Sequence, residues 1–193
     1  MLLYVGISST FLTPLEILIY HLLKQKGFEV DYLVYDGSIP IYEHVTKKSD
    51  NPKNIPSKTW RYGRSRLKAA KVPYHRIPVS KKAEKFSDSV RSLNSALNFQ
   101  LDGINFGHII HGTLCRYYKS TNFDADALHI SRQMMITALS NYFCVQDRHK
   151  TYGYDLVMFS HGINITWEPV AEFCRQQNIN FVCYDRAKVK EHG

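Results

Sequence analysis

The stretch Asp155-Leu156-Val157-Met158-Phe159-Ser160-His161-Gly162 decides how the chain is read. Four consecutive apolar residues bounded by Asp155 and a polar Ser-His-Gly exit predict a short strand buried on both faces, the habit of parallel sheets. A helix is predicted next: Thr166 is placed to cap it, Glu168 sits in its first turn beside a tolerated early Pro169, and Val170, Phe173 and Cys174 recur at helical spacing. The apolar run Ile179–Tyr184 then predicts another strand. Strand, polar turn, helix and strand within about 30 residues form a βαβ unit.

In open α/β sheets, ligands bind beyond the carboxyl ends of the strands. Ser160, His161 and Gly162 occupy such a position. They are candidate ligand residues on that ground, although the same three residues also suit a plain connecting turn.

The amino-terminal residues repeat the pattern. Met1–Gly6 predicts a first strand, central in the sheet, and Ile7-Ser8-Ser9-Thr10 the polar turn after it. Thr13-Pro14-Leu15-Glu16 combines a capping Thr, a Pro at the first helical position and a Glu three residues after the cap. The helix is expected to place Leu18, Ile19, Leu22 and Leu23 on one face and to stop at Gly27, with a second strand over Phe28–Tyr35 ended by Asp36-Gly37. Gly6, Ser8, Ser9 and Thr10 thus become candidate ligand residues at a second strand end. Neither GxGxxG nor GxxxxGK[ST] occurs, so dinucleotide and P-loop chemistry have no motif behind them.

The chain has 193 residues, 44% hydrophobic and 22% charged, which suits one globular domain. Glu16 and His21 interrupt the apolar amino-terminal helix, against a signal peptide or membrane span. Cys115, Cys144, Cys174 and Cys183 show no CxxC pairing and fit reduced thiols in a cytoplasmic protein.

Of the formal charge of +8, residues 44–86 carry more than the whole: thirteen Lys or Arg against Asp50 and Glu84, a local +11 that leaves the remainder at −3. This basic, insertion-like stretch, about 38–86, favours anionic partners such as phosphates, nucleic acid or an acidic membrane surface, unless it is simply a solvated face. Within it, residues 38–56 read as a long loop, Trp60–Lys71 as a basic helix and Val72–Val79 as a short third strand.

Helical spacing returns at Ser87–Asn98, with Val90, Leu93 and Leu97 on one face, then from Asp102 to Tyr118 and most strongly over Asp124–Val145. Ile104, His108, His111 and Cys115 share one stripe of the middle helix, and its Gly103, Gly107 and Gly112 imply close packing or a nearby ligand. The His and Cys side chains are able to bind zinc. No HExxH or paired-cysteine signature completes such a site, so no metal and no cofactor is expected, and His108 and His111 read as ligand-crevice or core hydrogen-bonding residues. Arg116 at the helix end either answers the helix dipole or clamps a phosphate or carboxylate. Arg186, after the last strand, pairs with Asp185 or contacts ligand. No GxSxG elbow, closely spaced carboxylate pair or kinase signature is present.

Three segments together resemble a family: Tyr4-Val5-Gly6-Ile7-Ser8-Ser9-Thr10 with its capped helix, Gly103-Ile104-Asn105-Phe106-Gly107 through Arg116-Tyr117-Tyr118, and Asp155–Phe159 leading to Asn180–Asp185. Their order is similar to the N-terminal, acceptor-side half of GT-B glycosyltransferases that build bacterial capsular and other surface polysaccharides. The resemblance implies a three-layer Rossmann-like α/β domain over residues 1–193, with a mostly parallel sheet and helices on both faces. It also implies a saccharide or lipid-linked acceptor, a nucleotide-sugar donor held mainly by a second domain, and no transfer by this half alone. An inverting enzyme of this kind needs a base for the acceptor hydroxyl, and His161 is the expected base, with Ser8, Ser9 and Thr10 lining the same cleft. The competing class is a non-enzymatic polyanion- or nucleic-acid-binding module, in which Trp60, Tyr62 and Tyr74 among the arginines would stack on bases. A third use of the basic stretch would hold the enzyme on the anionic inner membrane.

Overall fold

A computed structural model describes residues 1–6, 13–42 and 55–184 of the chain. Five short strands, β1 (Leu2–Gly6), β2 (Asp31–Tyr35), β3 (His75–Ile77), β4 (Leu156–Ser160) and β5 (Asn180–Tyr184), form one sheet in the order β3-β2-β1-β4-β5. Every pairing is parallel. The protein is therefore α/β, and β1 is central as its apolar run predicts. The register of β1 against β2 slips between Tyr4 and Gly6, so an irregularity lies at the carboxyl end of the central strand.

Seven helices lie among the described residues: α1 (Thr13–Gln25), α2 (Ile55–Ala69), α3 (Lys81–Ser89), α4 (Leu93–Leu97), α5 (Phe106–Tyr118), α6 (Ala127–Tyr152) and α7 (Asn164–Gln176). Alternate side chains of a strand point to opposite sides of a sheet, and the buried clusters divide accordingly. Leu33, Tyr35, Val157 and Phe159 pack with Ile110 of α5, Met135 and Leu139 of α6 and Phe173 of α7. Tyr32, Val34 and Met158 pack instead with Tyr20 of α1 and Leu67 of α2. Met134 and Met135 of α6 are buried and fill the core.

The basic stretch is partly integral to the sheet rather than appended to it, because β3 and the helix before it both fall within 38–86. Residues 43–54 lie outside the described residues. The predicted helix over Ser87–Asn98 is two helices. Ser92 accepts a hydrogen bond from Ser95 N–H and the Ser95 hydroxyl answers the Ser92 N–H, a capping box that starts α4 anew after Val90 has gone extended.

Helix α1 ends as predicted at Gly27, whose φ of 85° permits Gly27 N–H and Phe28 N–H to reach Lys24 and Leu23 carbonyls, a Schellman end. β2 therefore begins at Asp31, not Phe28. The predicted apolar face of this helix is corrected: Thr13, Glu16 and Tyr20 are buried, while Leu18 and Leu22 are half exposed. The leucines are displaced because the helix sets its polar first turn against the sheet, and the stripe opposite that turn has to face outward.

Helix α5 starts at Phe106, later than the predicted Asp102, because Asn105 caps it by accepting from His108 N–H at 3.0 Å. Of its glycines, Gly107 is there for packing. A Cβ at that position would lie 2.2 Å from the Leu97 carbonyl oxygen, whereas one at Gly112 would meet nothing within 4 Å. Gly107→Ala is therefore expected to cost about 3 kcal/mol through forced separation of α4 and α5. Gly112→Ala should instead stabilise by about 0.5–1 kcal/mol through helix propensity. Urea denaturation of the two variants checks the opposite signs.

Pro169 lies inside α7, where it cannot donate to the Ile165 carbonyl one turn back. Asn141 Nδ2 of α6 donates to that carbonyl instead, at 2.9 Å. This side chain lets the proline sit in the helix and ties α6 to the start of α7.

Candidate functional site

The carboxyl edge of the sheet collects the polar groups. β4 ends in Ser160, and the chain then takes two left-handed residues, His161 at φ 61° and Gly162 at φ 73°. The His161 N–H donates to the Tyr184 carbonyl at 3.1 Å, which carries the β4–β5 ladder one residue past the strand. Glycine is required next: a Cβ on Gly162 would lie 2.7 Å from Cys183 Sγ. The turn is thus fixed from both sides. It lays the His161 ring flat on buried Trp167 of α7, with centroids 4.9 Å apart and planes 11° from parallel.

Ser160 and Tyr184 are register neighbours and share the α1 side of the sheet. The Ser160 side chain is buried, and its Oγ has no hydrogen-bond partner among the described residues. The Tyr184 hydroxyl donates to Glu16 Oε1 at 3.1 Å, and Glu16 Oε2 lacks a partner among the described residues. Glu16 is fully buried in the first turn of α1, and burial pushes its carboxyl up to about 8 against the smaller, opposite pull of the Tyr184 hydrogen bond. A carboxyl with that value exchanges a proton near neutral pH, the property of a general acid or base.

On the other side of the sheet, the carboxyl end of β2 opens into a cleft of about 410 Å3 lined by Gly37–Ile41, Tyr117, His129, Ile130 and Gln133. Such a volume lies in the range of small-ligand pockets. Its rim is held by Asp36, which accepts from Ser38 N–H at 2.8 Å, and by Ser38 Oγ, which accepts from Val79 N–H at 3.3 Å. His129 and Gln133, one helical turn apart on α6, have their Nε2 atoms 2.8 Å from each other.

Of the predicted site residues, Ser160, His161 and Gly162 fall at the carboxyl edge, Gly162 in a backbone role. Gly6 ends β1 at the same edge. Ser8, Ser9, Thr10 and Arg186 lie outside the described residues. The buried stripe of α5 is Phe106, Ile109, Ile110, Thr113, Leu114 and Tyr117, which turns His108 and His111 outward, against a core hydrogen-bonding role but not against a place on a ligand crevice. His108 lines a smaller hollow with Asn105, Glu168 and Glu172. His111 Nε2 sits 3.7 Å from Cys115 Sγ, with its ring edge-on to Phe123. Arg116 is exposed in the last turn of α5, where it suits the helix dipole.

No family model, curated protein or solved structure matches the chain. All four cysteines are unpaired, and burial raises the thiols of Cys144 and Cys174 to about 11 and about 12, so neither is a reactive nucleophile. Among the described residues no group of three or more His, Cys, Asp or Glu is placed to hold a metal ion, and no helix is long and apolar enough to cross a membrane.

At the opposite, amino edge, Asp31 accepts from Arg148 Nε at 2.7 Å and from the Tyr154 hydroxyl, and lies 3.5 Å from His75 Nε2. This network fastens the end of α6 to β2 and β3. Asp31 Oδ2 takes both hydrogen bonds and braces the elements, while the buried Oδ1 has only the approach of His75 and no hydrogen bond among the described residues. The sequence reading missed Glu16 and the cleft pair His129 and Gln133. The only available signal for the pair was its i, i+4 spacing of polar side chains near the start of a long helix.

Proposed function

We propose that the chain is the acceptor-side half of a glycosyltransferase, a three-layer Rossmann-like domain that presents a sugar or lipid-linked hydroxyl to a nucleotide-sugar donor held mainly by a second domain. One observation carries the reading. An all-parallel sheet in the order β3-β2-β1-β4-β5 gathers His161, Ser160 and the buried Glu16 at the same edge as a cleft of about 410 Å3 that carries His129, Gln133 and Ser38 among apolar side chains. The order is that of a doubly wound sheet, whose ligands sit at that edge where the strand sequence reverses. Sugar acceptors are recognised by hydrogen-bonding side chains beside a ring surface, and Gln133, His129, Ser38 and Tyr117 supply both. In this reading His161 takes the proton of the attacking hydroxyl.

The test is sugar transfer by the full-length protein, with nucleotide sugars as donors and saccharide or lipid-linked acceptors. His129→Ala with Gln133→Ala is expected to raise KM for the acceptor about tenfold or more and leave kcat within a factor of about three, since these side chains bind without reacting. An unchanged KM removes the cleft from the site. Absence of transfer across the donor panel removes the reading itself.

A further inference from the structure

Leu15, Leu18 and Leu22 of α1 are 43%, 54% and 50% exposed. Single exposed leucines are ordinary, but three spaced by three and four residues make a continuous apolar ridge. The ridge lies opposite the buried Thr13, Glu16 and Tyr20, so it is the outward crest of the helix.

Beside it runs α2, which contains no acidic residue. Arg61, Arg64 and Lys68 repeat at the same three-and-four spacing, all exposed, and Lys71 follows in the next turn. None of the four has an ion-pair partner among the described residues. Arg64, Lys68 and Lys71 line an open groove of about 610 Å3 with Tyr74. The two helices belong to one surface: both pack on the same buried cluster, and His21 Nε2 lies 3.1 Å from the Ala70 carbonyl oxygen.

We propose that this surface seats the protein on an anionic phospholipid bilayer, the α1 leucines entering the headgroup region while Arg61, Arg64, Lys68 and Lys71 meet lipid phosphates. An apolar ridge flanked by unpaired cations has the composition of an interfacial anchor, and long cationic side chains reach phosphate while their stems stay on the apolar boundary. Charge complementarity selects the occupant. A second copy docked by a two-fold axis would set one cation row against its own image, which costs energy. The inference does not depend on sugar transfer.

Sedimentation of the full chain with phosphatidylcholine vesicles, with and without phosphatidylglycerol, tests it. Binding is expected only on the anionic vesicles and should weaken as salt rises. Arg64→Ala with Lys68→Ala should lower the partition coefficient about 25-fold, roughly fivefold per cation. Leu18→Ser with Leu22→Ser should lower it at least tenfold, with the circular dichroism of both double variants unchanged. Equal partition on neutral and anionic vesicles overturns the proposal. So does retained binding in the leucine variant, or self-association that the leucine changes abolish without any vesicle binding. Capture of nucleic acid that needs the cations but not the leucines overturns it in favour of a polyanion-binding surface.

Discussion

Glu16→Gln is expected to abolish a loss of stability that the natural chain suffers between about pH 5 and pH 8. Burial raises the carboxyl from an ordinary 4.5 to about 8. Across that window the folded chain keeps a proton that the unfolded chain has released. The contribution of Glu16 to stability is therefore greatest below about 4.5, falls as pH rises, and levels off once the folded carboxyl has also ionised. The difference amounts to roughly 3 kcal/mol between pH 5 and 8. The hydrogen bond from Tyr184 offsets only part of this cost, and no opposite charge comes from Tyr184 or Tyr32, phenols held well above their ordinary range first by burial and then by Glu16 itself. Glutamine keeps the shape and an amide able to meet the Tyr184 hydroxyl but has nothing to titrate. Urea denaturation of both proteins at several pH values measures the outcome. Parallel pH curves would show that the carboxyl is solvated, and would remove it from the proton-exchanging groups of the edge.

Glu16 also marks where sequence reasoning stops. Thr13-Pro14-Leu15-Glu16 is a helix start by local spacing, and it is one. The capping pattern assigns the carboxyl to the backbone of its own helix, whereas the hydrogen bond recorded for it comes from Tyr184, 168 positions away. Nothing local encodes that partner. The same limit displaced the leucines of α1: an amphipathic helix announces its period, but which stripe meets the sheet depends on what the strands present. In α5 the stripe His108, His111, Cys115 competes with the more apolar Phe106, Ile109, Ile110, Thr113 and Leu114, and the apolar stripe takes the core, while Ile104, also buried, precedes the helix. By contrast, β4, α7 and β5 were legible as elements because each signal is contiguous, although α7 starts at Asn164 and so places the expected cap, Thr166, inside the helix. An apolar run with a polar exit, a helical repeat and a second apolar run need no distant information, and the strand end at Ser160 follows from the pattern alone.

Under the proposed sugar-transfer reading, His161→Asn in the full-length protein is expected to lower turnover by about 10²- to 10⁴-fold, the range that a positioned base contributes. Asparagine is the informative replacement. The backbone at His161 is left-handed, φ 61°, a conformation asparagine accepts more readily than alanine. The N–H donated to the Tyr184 carbonyl is retained, so the β4–β5 ladder continues past the strand as before. The loss includes the stacking on Trp167, worth about 0.5–1.5 kcal/mol, which by itself is too little to unfold a domain of this size. A large fall in kcat with the circular dichroism spectrum intact and Tm lowered by a few degrees therefore separates proton transfer from scaffolding. The alternative role of this residue, a ring that merely closes the Ser160–Gly162 turn over α7, predicts the reverse: a lowered Tm with turnover near normal. That result would transfer the search for the base to Glu16, the buried carboxyl that the fold carries to this end of the sheet.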